Sequence, residues 1–455
     1  MQYVTTRQTL TGKGWQTDIQ IAIGADGRIA AIGPATNPTD HQIDVALPAP
    51  TNLHSHSFQR AMAGLTEMRG PDPTDSFWTW RRLMYRFLDQ LTPDQIEAIA
   101  AQVFMEMLEA GYGAAVEFHY LHHGVGGVPY DEPSELSLRH IAAAQAVGIG
   151  LTHLPVLYQF GGCDGRALEG GQQRFGSTPD SFAALYDGAS AAVADGPADF
   201  AIGVAPHSLR AVDAAGIDAA LSLAPPGPTH MHLSEQTAEI EEVQAHLGAR
   251  PAEWLLEHYA IDERWCLIHC THLTTSETTQ LAHSGAIAGL CPITESNLGD
   301  GIFNGTGYLG AGGRIGFGSD SNVHIALFEE LRTLEYSQRL RDRGRAALAT
   351  SDISTGRRLL DEAARGGAQA AGRFSGVLEV GAWADILGIS TDNMWACGRL
   401  GDTLLDTLVF GGHGQDCITD VWSAGRHVVQ SGRHVQREAI SRQFQATMSG
   451  LASQL

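Results

Sequence analysis

Asn52-Leu53-His54-Ser55-His56 places two imidazoles two residues apart, directly after an apolar run at residues 44–50. Together with Leu53, that run predicts a short buried strand that ends at the two histidines. Residues i and i+2 of a strand point to the same side, so His54 and His56 can bind one ion from the end of the strand. Barrel enzymes carry their chemistry at such strand ends. Taken alone, a His-x-His pair is also compatible with two hydrogen-bonded structural histidines.

Three more apolar runs end in residue types that bind metals or carry protons. These residues are His232, His269 and Asp320. Zinc in a catalytic site takes a few nitrogen or oxygen ligands and keeps one position for water. We therefore predict a zinc hydrolase in which His54, His56, His232 and Asp320 bind one ion. Asp320 is also compatible with an ordinary turn after a glycine-rich strand.

Three side chains are predicted to move protons or stabilise charge beside this ion. Glu235 follows His232 by three residues, where a carboxylate can carry a proton to the leaving group. His269 can orient the attacking water and stabilise the tetrahedral adduct, and Asp320 can accept a proton from the water. The alternatives are an acid at a helix start for Glu235 and a hydrogen-bonded core histidine for His269.

From His54 onward, short apolar runs alternate with helical stretches, the pattern of repeated βα units. Eight predicted strands is the number that a closed parallel barrel needs. They lie near residues 46–54, 112–119, 149–157, 200–207, 228–233, 265–271, 286–292 and 314–319. We predict an α/β fold in which residues 46–375 form a metal-dependent (β/α)8 TIM barrel. Residues 1–45 and 376–455 return to strands and turns, so we expect them to form a small β-sandwich-like domain.

Local signals mark several helix boundaries within this pattern. Thr92 begins the run Thr-Pro-Asp-Gln, which offers an N-cap, a proline at the first helical position and a capping-box glutamine. Gly111 is expected to end that helix. Thr178 begins a second helix in the same way. Residues 325–340 and 355–371 are predicted as the last two helices of the barrel.

Composition limits the partners and the compartment. The net charge of −22 without a basic run argues against nucleic acid or an anionic membrane surface as a partner. The six cysteines are scattered, as in cytosolic proteins, and Cys266 and Cys270 beside His269 are expected to be buried thiols, with a metal knuckle as the alternative. We find no signal-peptide pattern and no 18-residue apolar run, so we expect a cytoplasmic protein.

The lysine content bears on the number of metal ions. Lys13 is the only lysine and precedes the predicted barrel, so no carboxylated lysine can bridge two ions at a barrel strand end. Glu117, on the second predicted strand, is the candidate bridge if two ions bind. We expect one.

Seven stretches carry a resemblance to a known family. They are residues 52–67 around the His-x-His pair, 77–81 (Phe-Trp-Thr-Trp-Arg), 117–123 (Glu-Phe-His-Tyr-Leu-His-His), 205–212 (Ala-Pro-His-Ser-Leu-Arg-Ala-Val), 230–236 (His-Met-His-Leu-Ser-Glu-Gln), 296–303 (Ser-Asn-Leu-Gly-Asp-Gly-Ile-Phe) and 381–387 (Gly-Ala-Trp-Ala-Asp-Ile-Leu). Over essentially the whole chain, the sequence resembles the amidohydrolase superfamily, in its mononuclear adenosine-deaminase-like branch. Within that branch it is most similar to the formimidoylglutamate deiminases. The resemblance implies zinc-dependent conversion of N-formimino-L-glutamate to N-formyl-L-glutamate and ammonia in histidine breakdown, and we expect a homodimer.

A small dicarboxylate substrate needs cationic and neutral hydrogen-bond donors, and the chain offers them near the predicted strand ends. Arg210 can take a carboxylate in a bidentate fork, and the other candidates share positions beside strands one, two and four or in a Trp-rich loop. They are Gln59, Tyr120, His207 and Arg81, with Arg82 as the alternative to Arg81. A solvated surface charge is the alternative for each arginine.

Other functions remain compatible with the same metal residues. A deaminase of guanine, cytosine or an adenosine derivative would need a planar-ring pocket with few cations. A hydrolase of an amide or carbon–halogen bond, and a non-catalytic zinc-binding scaffold, are further alternatives. Glu235 and His269 disfavour the scaffold, because it needs no proton carriers.

Overall fold

The computed structural model describes residues 1–67 and 84–452. Its strands are β1 Gln2–Thr11, β2 Gly14–Ile23, β3 Ile29–Pro34, β4 His41–Pro48, β5 Thr51–Asn52, β6 Ala114–His119, β7 Gly150–Leu157, β8 Ala201–Ile202, β9 Ala205–Pro206, β10 Thr229–Leu233, β11 Trp265–His269, β12 Ile287–Leu290, β13 Arg314–Phe317, β14 Ile386–Ile389, β15 Ile418–Ser423, β16 Arg426–Gln430 and β17 Arg433–His434. Its α-helices are α1 Pro93–Glu109, α2 Glu135–Val147, α3 Pro179–Ala194, α4 Ala214–Leu223, α5 Thr237–Leu247, α6 Pro251–His258, α7 Thr275–Ser284, α8 Pro292–Leu298, α9 Gly305–Gly310, α10 Leu327–Asp342, α11 Thr355–Ala370, α12 Asp402–Phe410 and α13 Arg437–Ala452. Short 3-10 helices lie at Ser57–Met62, Val125–Gly127, Gly170–Arg174 and Gln415–Cys417.

Strands β5 to β13 form a closed parallel barrel, in which β8 and β9 share the fourth strand position. Parallel pairing runs from β5 through β6 and β7 to β8 and β9, and again from β10 through β11 and β12 to β13. The two arcs join where His230 N–H donates to Val204 O at 3.1 Å and where Leu53 N–H donates to Phe317 O at 3.0 Å. Helices follow the strands, as parallel strands require. The predicted (β/α)8 barrel is confirmed.

The first barrel strand is shorter than the sequence suggests. Residues 46–48 belong to β4, which pairs with β1 and β14 outside the barrel, so the prediction of one strand over 46–54 was wrong. Pro48 and Pro50 lack backbone donors and restrict the residue before them, which divides the apolar run into two strands. Between them, Ala49 N–H donates to Asp385 O at 3.0 Å. Residues 45–48 of β4 and both residues of β5 are buried, so hydrophobicity alone does not separate the two strands.

The predicted helix signals are present in the structure. Thr92 accepts a hydrogen bond from Gln95 N–H at 3.4 Å, and the Gln95 side chain accepts one from Thr92 N–H at 2.9 Å, which completes the capping box of α1. Gly111, at φ +98°, follows the end of that helix in a backbone region that favours glycine. Thr178 caps α3 by accepting from Ser181 N–H at 3.2 Å. Helices α10 and α11 lie within two residues of their predicted bounds.

Strands from both chain ends form a second sheet, in the order β17-β16-β15-β14-β4-β1-β2-β3. Strand β4 joins the two segments, because it pairs in parallel with β1 and antiparallel with β14. The buried apolar cluster on this sheet draws Val4 and Ile21 from the N-terminal segment and Ile386 and Trp422 from the C-terminal one. Neither segment therefore encloses that cluster alone. Within the described residues, no helix is both long and apolar enough to cross a membrane.

A buried group of charges lies between the barrel and this sheet. Arg373 follows the last barrel helix and donates to Asp385 at 2.8 Å and to Asp199 at 3.2 Å. Arg426, on β16, donates to Asp199 at 2.8 Å and 2.7 Å. The Arg373 and Asp385 side chains are 4% and 1% exposed. Both acids therefore depend on these arginines to offset the loss of solvation.

Arg373→Met is expected to lower the free energy of unfolding by about 3–5 kcal/mol, because it leaves buried carboxylates with fewer partners. Arg139→Met is the matched control, since Arg139 forms its ion pairs on the surface of α2 and its loss should cost about 1 kcal/mol or less. Urea unfolding of both variants measures the difference. Equal losses in the two variants would contradict a stabilising role for the buried group.

Candidate active site

Four side chains converge at the carboxyl ends of the barrel strands. His54 Nε2 lies 3.2 Å from His232 Nε2, and the Asp320 carboxylate lies 3.6 Å from His54 Nε2 and 3.3 Å from His56 Nε2. The three histidines each direct one nitrogen into the same space, within 4.8 Å of one another. All four side chains are buried. The structure thus brings together the four residues predicted as metal ligands.

Backbone carbonyls orient two of these rings. His56 Nδ1 is 2.9 Å from Phe118 O, and His232 Nδ1 is 3.2 Å from His207 O. A ring that donates through Nδ1 keeps an acceptor lone pair at Nε2. Both Nε2 atoms therefore face the centre in the form that binds metal.

The strand that supplies Asp320 packs closely on His54. Asp320 N–H donates to His54 O at 2.9 Å. A Cβ on Gly318 would lie 2.7 Å from the His54 Cβ, so only glycine permits this approach. Asp320 itself has φ +47°, a conformation that an L-residue rarely adopts. The carboxylate position is therefore held by backbone geometry as well as by side-chain contacts.

The donor set fits a divalent cation. Burial lowers the pKa of His54 and His232 well below the ordinary value and that of His56 to about 3, so all three imidazoles are neutral ligands. Burial also raises the pKa of Asp320 to about 7, which a nearby cation would oppose. Ligands about 2.0–2.1 Å from a tetrahedral ion are about 3.3 Å apart, close to the distances between these atoms.

His269 lies beside this centre among three carboxylates. Its Nε2 is 3.7 Å from Glu235 and 3.9 Å from Asp320, and its Nδ1 is 3.2 Å from Glu295. Burial opposes a charge on the ring, but Glu235, Glu295 and Asp320 together raise the pKa of His269 to about 10. His269 has φ +71°, which turns the chain at the end of β11. The ring can therefore donate toward the centre.

Glu295 and Glu239 are buried carboxylates that the sequence interpretation missed. Glu295 accepts from Cys291 N–H at 2.9 Å and faces His269 Nδ1, which fixes the direction of that ring. Glu239 accepts from the N–H groups of Ser234 and Glu235 at 3.1 and 3.0 Å. Each lies in the first turn of a helix that follows a barrel strand, where an acid is usually a helix-dipole residue. In the sequence, the only indication that Glu239 and Glu295 belong to the site is that each follows the end of a predicted barrel strand.

Four of the predicted substrate residues line one cavity that His56, His232 and Asp320 also line; they are Gln59, Tyr120, His207 and Arg210. Gln59 Nε2 donates to the Tyr120 hydroxyl at 2.7 Å. His207 Nδ1 lies 2.9 Å from Ser208 Oγ. Arg210 reaches the same cavity and lies 3.4 Å from Glu235. The cavity therefore joins a cationic and hydrogen-bonding region to the predicted metal ligands His56, His232 and Asp320.

Other residues weighed from the sequence lie elsewhere or outside the described residues. Arg81 and Arg82 fall in residues 68–83, which the structure does not describe. Glu117 accepts from Ser57 N–H at 2.7 Å, lies 3.6 Å from His140 and is not part of the group of three histidines. In the described residues, neither Cys266 nor Cys270 belongs to a group that could hold an ion.

Two family models match the chain. The model described as "Amidohydrolase family" matches residues 45–428. The model described as "Formimidoylglutamate deiminase HutF, N-terminal domain" matches residues 1–41. The two matches lie side by side, and their boundary falls in β4.

Relatives and solved structures agree with these matches. A formimidoylglutamate deiminase from Pseudomonas aeruginosa is 46% identical over 448 residues, which cover 98% of each chain. The crystal structure of an amidohydrolase from Brucella melitensis has a TM-score of 0.95 and 44% identity, covering 99% of this chain and 100% of that one. An adenosine deaminase from Xanthomonas campestris with bound zinc has a TM-score of 0.83 at 19% identity, covering 99% and 98%. That last likeness concerns the fold alone.

Proposed function

This chain belongs to the amidohydrolase family, and from that premise we propose that it is a formimidoylglutamate deiminase of histidine degradation. The reaction is hydrolysis of N-formimino-L-glutamate to N-formyl-L-glutamate and ammonia. One observation carries the proposal: the cavity that contains His56, His232 and Asp320 also contains Arg210 and Tyr120. The relative from Pseudomonas aeruginosa, which bears this name, supports it over the full length.

Amidohydrolases are metal-dependent, and the His-rich centre suits one ion. We propose zinc, one per chain, on His54, His56, His232 and Asp320, because these nitrogen and oxygen donors match its preference. When bound, zinc acts as a Lewis acid that makes water a nucleophile at neutral pH.

The surrounding residues divide the proton transfers. Asp320 accepts a proton from the attacking water. His269, 3.9 Å from Asp320, donates toward the centre and stabilises negative charge as the tetrahedral adduct forms. Glu235, 3.7 Å from His269 Nε2, carries a proton to the nitrogen that departs as ammonia, so that the proton which Asp320 takes from the water is the one that leaves with the ammonia. Glu295 contacts Nδ1 of His269 and so keeps the ring oriented with Nε2 toward Glu235 and Asp320.

The substrate residues hold the glutamate end. Arg210 is proposed to take a carboxylate, with hydrogen bonds from His207 and from the Gln59–Tyr120 pair. We retain Arg81 as a further carboxylate contact. A buried arginine in the cavity favours a substrate with a carboxylate over an uncharged purine or pyrimidine ring, which offers the guanidinium no anionic partner.

The assay that tests this function is ammonia release from N-formimino-L-glutamate, with the organic product identified by mass spectrometry. The expected products are ammonia and N-formyl-L-glutamate, because Glu235 lies beside the metal-binding residues while Arg210 holds the other end. Guanine and cytosine are the comparison substrates. Formamide as the main product would show that the substrate binds in the opposite orientation. Rapid turnover of guanine alone would refute the proposed substrate.

We further propose that the protein is a cytoplasmic homodimer. A metabolic relative supports the compartment. Sedimentation of the purified protein tests the dimer.

A further inference from the structure

Arg210 lies between two buried carboxylates rather than pointing freely into the cavity. Its Nη2 is 3.4 Å from Glu235 Oε2, and its Nε is 3.9 Å from Glu239 Oε2. Arg210 is 6% exposed, Glu235 5% and Glu239 0%. The Nε atom is buried and, among the described residues, has no hydrogen-bond partner. The guanidinium is thus close to the proposed proton carrier but weakly bound to it.

The two acids have different surroundings. Glu239 already accepts from the backbone N–H groups of Ser234 and Glu235, which fixes it beneath the turn at Ser234. Ser234 has φ +54°, so this turn aims the next side chain, Glu235, into the cavity. Glu235 faces the cavity, and both Arg210 and His269 lie within 4 Å of it. Glu239 can therefore remain in place while the contact between Arg210 and Glu235 changes.

The proposed substrate carries the charges needed to replace this contact. An amidine is a strong base and is protonated at neutral pH, and the glutamate part carries two carboxylates. An amidinium can pair with Glu235, and a carboxylate can pair with Arg210 in a bidentate fork. Each of these two interactions is weakened while Arg210 and Glu235 are paired with each other, because a charged group shared between two partners binds each of them less strongly.

We propose that substrate binding exchanges counter-ions: the substrate carboxylate draws Arg210 away from Glu235, and the substrate amidinium takes its place. This inference rests on the proposed function and adds a basis for specificity to it. A ligand with only one of the two charges breaks the Arg210–Glu235 pair and leaves one of these buried charges with fewer partners, which is costly. Arg210 is then a specificity-determining residue, and Glu239 is a positioning residue that keeps it within reach.

Formamidine and glutarate are the two halves of the substrate and separate its two charges. In the unmodified holoenzyme, formamidine alone should be a poor substrate, and added glutarate should raise its kcat/KM by about tenfold, because glutarate occupies Arg210 and releases Glu235. Arg210→Met should lower kcat/KM for N-formimino-L-glutamate by about 100-fold or more yet raise it for formamidine by about tenfold, with no response to glutarate. Ammonia release measures all of these rates, and metal content is measured in each preparation.

Arg264→Met is the matched control, because Arg264 pairs with Asp262 before β11, at the opposite end of the barrel strands from the cavity. This variant should have unchanged kcat/KM for both N-formimino-L-glutamate and formamidine. If Arg210→Met lowers kcat/KM for both substrates in parallel, the exchange of counter-ions is refuted. It is also refuted if glutarate only inhibits the reaction of formamidine in the unmodified enzyme. Failure of the unmodified enzyme to release ammonia from N-formimino-L-glutamate would instead refute the proposed function. Should Arg210→Met not fold, the glutarate experiment decides without it.

Discussion

Replacing Glu235 by Gln should lower kcat by about 10²–10⁴-fold while the fold and the bound metal remain unchanged. The amide fills the same volume and can keep a hydrogen bond near Arg210, but it cannot carry a proton to the departing nitrogen. Glu235 is not among the four side chains that converge on the proposed metal position, so we expect that its charge is not needed to hold the ion. The expected defect is therefore in turnover.

Single-turnover rates with N-formimino-L-glutamate, metal analysis and thermal unfolding separate these contributions. Glu241→Gln is the matched control, since Glu241 is an exposed glutamate of helix α5, which begins two residues after Glu235. It should retain full activity. If Glu235→Gln lost its metal while keeping measurable chemistry in the metal-loaded form, Glu235 would be a ligand and the division between ligands and proton carriers would be wrong.

Replacing His232 by Ala should remove the metal and lower kcat/KM by about 10³-fold or more, because loss of the Lewis acid removes several kcal/mol of transition-state stabilisation. His232 Nε2 lies 3.2 Å from His54 Nε2, so its removal opens one side of the centre. Metal analysis of protein purified without added metal should find one ion per chain in the unmodified protein and close to none in the variant.

Glu117→Gln provides the comparison for that experiment. Glu117 is a fully buried carboxylate of the same barrel, but its contacts are Ser57 N–H and, at 3.6 Å, His140, which are not among the proposed metal ligands. Burial raises the pKa of Glu117 to about 7, so an uncharged amide suits its surroundings. The variant should keep one ion. Two tightly bound ions in the unmodified protein, reduced to one in Glu117→Gln, would show that Glu117 bridges a dinuclear centre.

Patterns local in sequence predicted most of the barrel. The helix that begins after Thr92 follows from a cap, a proline and a glutamine within four residues, and all of these interactions form within one helical turn. The positions of His54, His56, His232 and Asp320 follow because the carboxyl ends of parallel strands meet at one end of a closed barrel. Where strand one begins was not predictable in this way. Residues 46–48 are as apolar as a barrel strand, and only pairing with β1 and β14 assigns them to the other sheet.

The sequence by itself determined the barrel, the residue types at its strand ends and the absence of a bridging lysine, because these depend on periodicity, spacing and composition. Tertiary structure alone decided which charges face each other. From the sequence, Arg210 was expected to bind a substrate carboxylate. In the structure it also lies close to Glu235 and Glu239, which are 25 and 29 residues further along the chain. Glu295 likewise resembles an ordinary acid at a helix start until β11 brings His269 to 3.2 Å from it. Interactions between side chains depend on distance in space, and the folded barrel sets those distances.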